Sequence, residues 1–207
     1  MVNLAMGIAD ESSFLTLRPE QPFFERVYTA SSLVIVGTRE PDGSPDLAPK
    51  HMAMPLGTEG HFGFVCKPSH STYRNAERTG TFTVSYPRPE LILEATLAAG
   101  PRESDGSKPS VRGIETVEAD TVDGPAVADA YAILECEFER IVSGFGSSGL
   151  VVGSIVAKHV DDDAYRSTET EPETALERAP VLAYLYPDRY ASISESRAFP
   201  FPEGFQS

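Results

Sequence analysis

An antiparallel β-barrel with a few peripheral helices is the fold class the sequence predicts, on three observations. Short runs of β-branched and aromatic residues recur along the chain, at 31–38, 81–86, 132–142 and 150–160. Hairpin-sized turns rich in Pro, Asp and Gly separate them, as in Glu40-Pro41-Asp42-Gly43-Ser44. Neither a βαβ rhythm nor the glycine fingerprint of a doubly wound nucleotide fold is present. The 207 residues suit one domain, 1–207, with an N-terminal arm 1–24 and a C-terminal tail 194–207.

In the arm, Phe14, Leu15 and Leu17 are the expected packing contacts, and Pro22 opens a short helix over 23–28 that covers a sheet. Residues 31–38, with Val34, Ile35 and Val36, read as a buried strand, and the turn at 40–44 reverses the chain into 45–49. Pro49 and Pro55 each remove a backbone donor, so 50–57 reads as an irregular arm whose free backbone groups suit a planar polar ligand. His51 in that arm is either a ligand contact or a satisfied structural histidine. Met52 and Met54 pack on an aromatic surface or belong to ordinary core. Residues 81–86 alternate clearly, 91–99 favour a helix, and 100–113 form a Gly- and Pro-rich loop or lid.

Residues 132–142 alternate with Glu135, Glu137 and Glu139 on one face, which reads as solvent-facing; no His or Cys joins them, so no metal is expected. The glycines of 143–149 make a flexible turn, since their order fits no phosphate loop and no Lys follows. Residues 150–160 form another strand, in which Gly153 marks a bulge or a close backbone approach. After a polar stretch at 164–179, 180–187 is apolar and aromatic and 188–193 returns, and Phe199, Phe201 and Phe205 in the tail are expected to dock on the body or a partner.

The totals exclude several classes of function. With 31 acidic against 17 basic residues and a net charge of −14, no basic surface exists for a nucleic acid. The spread of acids also matches proteins adapted to high salt. No apolar run spans a membrane and no signal-peptide pattern opens the chain, so the default is a soluble cytoplasmic protein. Cys66 and Cys136 sit in apolar runs and read as buried thiols rather than a disulfide framework.

Against that acidic background, 67–75 is unusual. The apolar run Phe62–Cys66 breaks into Lys67-Pro68-Ser69-His70-Ser71-Thr72-Tyr73-Arg74-Asn75. Hydroxyls and backbone N–H groups at a helix start hold phosphate oxygens, and Lys67, His70 and Arg74 supply a positive field. Ser69, Ser71 or Thr72 would cap a helix running to about 79, with Gly80 as its stop. The same residues also suit a Ser-rich loop leading into a surface helix.

The order of these blocks, from Val34-Ile35-Val36-Gly37-Thr38 through Leu47-Ala48-Pro49, Thr72-Tyr73-Arg74-Asn75 and 79–85 to Val152-Gly153-Ser154-Ile155-Val156, resembles the flavin reductase-like family over about 25–193. That resemblance implies a Greek-key FMN-binding split β-barrel and a homodimer with FMN near the subunit interface. It implies that Ala48, Pro49, Lys50, His51 and Met52 line the flavin ring. Ser71 and Thr72, with Lys67 or His70, would hold the phosphate, Arg74 would add charge, and Asn75 would fix the backbone or meet the flavin edge. Many relatives have Ser where His51 stands and Lys-Asp-Thr where His70-Ser71-Thr72 stands. His51 is therefore the candidate catalytic residue, a donor to negative charge on reduced flavin.

The implied activity is an FMN-dependent oxidoreductase taking hydride from NADH or NADPH and passing electrons to free flavin, oxygen or another acceptor. A flavin-storage or electron-carrier protein, or another split-barrel oxidoreductase, is the alternative. Arg102, Lys108 and Arg112 in the 100–113 loop would meet the nicotinamide cofactor's phosphates or merely solubilise a lid.

Overall fold

The computed structural model describes residues 13–166, 172–200 and 202. Strands β1 (Thr29–Ser32), β2 (Val34–Arg39), β3 (Pro45–Lys50), β4 (Ala53–Pro55) and β5 (His61–Cys66) lead into helix α1 (Ser71–Thr79). Then come β6 (Thr81–Tyr86), α2 (Ile92–Ala98), β7 (Thr116–Glu118), β8 (Pro125–Val127) and the long hairpin β9 (Ala132–Phe145) and β10 (Ser148–Val160). Helix α3 (Pro172–Arg178) and the hairpin β11 (Val181–Tyr186) and β12 (Arg189–Ile193) follow.

The main sheet runs β3-β2-β6-β9-β10-β5-β4, antiparallel throughout. Its two edge strands, β3 and β4, are consecutive in the chain and joined by His51 and Met52 alone. Three peptide links span at most about 11 Å, so the two edges converge there and the sheet curls into a half-barrel. Proline sits at both edges, Pro45 and Pro49 in β3 and Pro55 in β4, where no ladder bond is lost. A second sheet, β1-β11-β12, packs beside it, and β7 pairs with β8.

Strand β2 is covered on both faces, which explains its unbroken apolar run. Val34 and Val36 point into the barrel with Phe62, Phe64, Phe82 and Val84. Ile35, with Leu33 and Leu47, packs instead against Ala95 and Ala98 of α2 and Leu182 of β11. Helix α1 stops at Gly80, whose φ of 76° is left-handed and whose N–H returns to the Ala76 carbonyl. Gly153 has two reasons to be glycine: the β9–β10 register shifts there, and a Cβ would lie 2.6 Å from both the Glu137 carbonyl oxygen and the Phe82 ring.

Several expectations are corrected. Residues 23–28 form one turn, Arg26 and Val27 N–H both returning to the Phe23 carbonyl, and Tyr28 leads straight into β1 rather than a helix. Phe14 and Leu15 are exposed, not packed. The N-cap of α1 is His70, which makes no side-chain capping bond, rather than Ser69, Ser71 or Thr72. Strand β9 continues through 143–145, so the expected flexible turn shrinks to Gly146-Ser147. In the tail, Phe201 and Phe205 lie outside the described residues.

The largest correction is Glu135, which is fully buried while Glu137 and Glu139 stay at the surface. The segment between β7 and β8 folds over it. Oε1 accepts the Asp120 N–H at 3.0 Å, and Oε2 accepts those of Thr121 and Val122 at 2.7 and 2.9 Å. A histidine does join this carboxylate: His159 Nε2 lies 2.7 Å from Oε1. With Asp120, the three offer ligand atoms within 4.8 Å of one another. The oxygens of Glu135 are already occupied by main-chain donors, so its work is to hold the 120–122 turn.

Burial pushes the Glu135 carboxyl up, but the Thr121 N–H, the His159 contact and the Val122 and Asp120 N–H groups outweigh it and leave the group below its ordinary value. Folding therefore lowers this pKa. The stability it contributes is full above the unfolded carboxyl's pKa and disappears as pH falls through the folded one. Glu135→Ala, which takes the acceptor from the N–H groups of Asp120, Thr121 and the buried Val122 and leaves His159 unpaired, should cost on the order of 3 kcal/mol in urea unfolding at pH 7. The gap between variant and parent should narrow in acid, and a pH-independent gap would refute this account.

Candidate functional site

The candidate site forms where edge strand β3 meets the start of α1. Ala48, Pro49 and Lys50 form one wall, Ser69, His70, Ser71, Thr72 and Arg74 a second, and 98–100 with Arg102 and Lys108 a third. Together they enclose a cleft of about 470 Å3. Four permanent cations and His70 line it against one carboxylate, Asp46, in a chain of net charge −14. Because α1 has no side-chain cap, its first-turn N–H groups add partial positive charge at the same place.

Asp46 is 1% exposed and organises these walls. Its Oδ2 accepts the hydroxyls of Thr72 in α1 at 3.1 Å and of Thr38 in β2 at 3.4 Å. Asn75 Nδ2 donates to Thr38 Oγ1 at 3.3 Å, extending the network down the buried face of α1. Oδ1 takes Arg102 Nη2 at 2.7 Å, and the same nitrogen reaches Glu40 Oε1 at 2.6 Å. Lys108 Nζ donates to the Leu47 and Ala98 carbonyls at 2.8 and 2.7 Å and stands 3.7 Å from Asp46. Strand, helix and the 100–108 loop are thus held by one carboxylate.

The titratable groups register the field of the cleft. Burial comes first in lowering His70, followed by Lys50, Lys67, Arg74 and Lys108, so the imidazole resists a further positive charge. Burial likewise lowers Lys108, with Asp46 opposing and Arg102 and Lys50 adding to the shift. Cys66, 3.8 Å from His70 Nδ1, is pushed up by burial and behaves as a core thiol.

The sequence-predicted residues divide into four groups. Ala48, Pro49, Lys50, His70, Ser71, Thr72 and Arg74 come together around the cleft. Within that group Thr72 gives its hydroxyl proton to Asp46, and Arg74 braces the turn through the Ser69 carbonyl at 2.7 Å and Ser71 Oγ at 3.3 Å. Asn75 is buried behind the cleft, Lys67 sits outside its lining, and Met52 is 53% exposed on the edge-to-edge connector. His51 faces the other way, its ring 4.6 Å from that of Tyr184 and 5.6 Å from that of Tyr186. Arg102 and Lys108 are committed to Asp46, Glu40 and backbone carbonyls.

Asp46 and Thr38 are the residues that sequence reasoning missed. The signal available was the hairpin itself: the tight turn at 40–44 puts Thr38 opposite Asp46, and alternation puts Asp46 on the face of Ala48 and Lys50.

Fold and site together define a split antiparallel β-barrel with a cationic cleft between an edge strand and a helix N-terminus. The chain belongs to the flavin reductase like domain family, whose model matches residues 26–194. No curated protein matches it. Among solved structures it is similar to nitrilotriacetate monooxygenase component B from Bacillus cereus, with 18% identity, 91% of this chain and 100% of that chain covered, and a TM-score of 0.77. Flavoredoxin of Desulfovibrio vulgaris (Miyazaki F) shares 19% identity over 90% of this chain and 100% of that chain, with a TM-score of 0.73. An FMN-binding protein from Thermus thermophilus shares 18% over 92% and 100%, with a TM-score of 0.71. At these identities the likeness shows the fold.

Asp46→Ala should be among the most damaging single changes near the cleft. It removes the buried charge that balances Arg102 and Lys108 and takes the acceptor from the Thr38 and Thr72 hydroxyls, at a cost of roughly 3–5 kcal/mol. Urea unfolding would measure this, and a loss below about 1 kcal/mol, the size of an ordinary surface pair, would rule out the organising role.

Proposed function

We propose that the chain binds FMN in the cationic cleft and acts as a flavin-dependent oxidoreductase, taking electrons from NADH or NADPH. The single observation that carries the proposal is the cation excess at the uncapped start of α1, in a protein otherwise strongly acidic. Such a corner suits a dianionic phosphate. The cleft volume of about 470 Å3 lies in the roughly 300–1,000 Å3 range of small-molecule sites. Relatives that are themselves named as an FMN-binding protein and as flavoredoxin support the choice of a flavin.

The phosphate would be held by the N–H groups of Ser71 and Thr72, the Ser71 hydroxyl and the charges of Lys50 and Arg74, with Lys67 adding to the field from outside the cleft. Ala48 and Pro49 would meet the ring along the outer edge of β3. Leu47 turns its carbonyl out to Lys108, so by the alternation of a strand the main-chain groups of Pro49 also face away from β2. Once bound, the flavin supplies the electron carrier that no side chain of this protein provides. His51 is half-buried, and its pKa is lowered by burial first and Lys50 second. As a proposed catalytic residue it would act from the far side of β3, toward the flavin's reaction partner, as a neutral hydrogen-bond donor near neutral pH rather than as a charge.

A homodimer is part of the proposal. Its support is the set of large side chains left exposed on one chain, among them Phe23, Phe24, Val142, Phe145 and Val156.

The test is an absorption spectrum of the purified protein with added FMN, followed by anaerobic NADH or NADPH. Uptake of FMN and bleaching by one nucleotide is the expected result. Uptake without bleaching would favour a storage or carrier protein, and no uptake would end the proposal. Arg74→Ala should weaken FMN at least tenfold while leaving riboflavin, which lacks the phosphate, unchanged.

His70 offers an independent check. Burial and then the neighbouring cations lower its pKa; a phosphate beside it opposes the cations, so FMN should move the His70 titration upward in NMR, and riboflavin should not.

A further inference from the structure

Strand β3 has a second side. Alternation puts Asp46, Ala48 and Lys50 toward the main cleft, the connector turns His51 toward a separate hollow of about 270 Å3, and Pro49 and Ala99 line both. The two spaces are therefore neighbours across the width of one strand residue.

Their chemistry is opposite. Where the cleft is cationic, the hollow has an apolar floor from Leu33, Ile92 and Ala95 and flat walls from His51, Tyr184 and Tyr190. The imidazole and Tyr184 are tilted only 30° to each other. The Tyr184 hydroxyl donates to the Pro187 carbonyl, so its oxygen keeps only acceptor capacity. Asp188 lines the same rim, and after burial its carboxylate is the largest influence raising the Tyr184 phenol. Arg189 stands exposed beside it. Flat walls with acceptors and a nearby carboxylate favour a planar ring that carries a donor or a positive charge.

We propose that this hollow is a subsite for the reaction's other partner, taking a single aromatic ring that bears an amide, amine or phenol group and no carboxylate. The role as partner rests on the flavin proposal; the ring preference rests on the hollow alone. The ring belongs either to the nicotinamide end of the electron donor or to an aromatic electron acceptor.

The chain has four histidines, so the imidazole signals of His51, His61, His70 and His159 can be followed one by one by NMR. N-methylnicotinamide, phenol and benzoate would be titrated into the full chain with and without FMN. The first two should move His51 saturably and leave His70 still, and benzoate should bind at least tenfold more weakly. Tyr184→Leu should weaken both ligands about tenfold, and Asp188→Asn, at an exposed position, should reduce the preference for N-methylnicotinamide over phenol a few-fold. Displacement of phenol by NAD+ assigns the hollow to the donor; binding of phenol undisturbed by NAD+ assigns it to an acceptor. A His51 signal unmoved by every probe, or benzoate bound as tightly as phenol, overturns the inference. Visible absorption in the same samples reports FMN separately. FMN bound with His51 unmoved removes this subsite alone, whereas His51 moved without FMN bound removes the flavin proposal and the partner role and leaves only an aromatic-ring site.

Discussion

The buried Asp46 carboxylate is the constraint on which the site depends. A charge with 1% exposure persists only if its oxygens are fully engaged, and here Thr38, Thr72, Arg102 and, at longer range, Lys108 do so. Those partners come from β2, α1 and the 100–108 loop, which share no local reason to meet. Satisfying one carboxylate fixes the start of α1 against the edge of β3 and draws the loop over both. The cleft is the space left between three segments held in this way.

The same network decides which cations remain available. Arg102 and Lys108 spend their donors on Asp46, Glu40 and main-chain carbonyls, so they shape the cleft and contribute field. Lys50 and the first turn of α1 are the donors left facing it. Thr72 illustrates the trade: its hydroxyl proton goes to Asp46, and its backbone N–H is what it can offer to a ligand.

The curl of the main sheet has a comparable consequence. Because β3 and β4 are opposite edges joined by only His51 and Met52, the connector has to turn sharply between two strands. That turn leaves His51 against Tyr184 and Tyr186 of the second sheet, while Lys50 stays on the face of Asp46. Four consecutive residues, Ala48 to His51, that look like one surface in the sequence therefore line two differently charged spaces.

From the sequence alone came the antiparallel barrel, the hairpin at 40–44, the helix ending at Gly80, the bulge at Gly153 and the cationic character of 67–75. These rest on side-chain alternation, backbone preferences and composition, which act within a few residues and are written in the order of the chain. Tertiary structure alone decided that Glu135 is a buried cap under the 120–122 turn rather than one of three solvated acids. It also decided that Arg102 and Lys108 answer to Asp46, and that His51 turns away from Lys50. Each of these depends on which distant segment covers a residue, and the free energy of pairing a buried charge belongs to that contact rather than to either stretch of sequence.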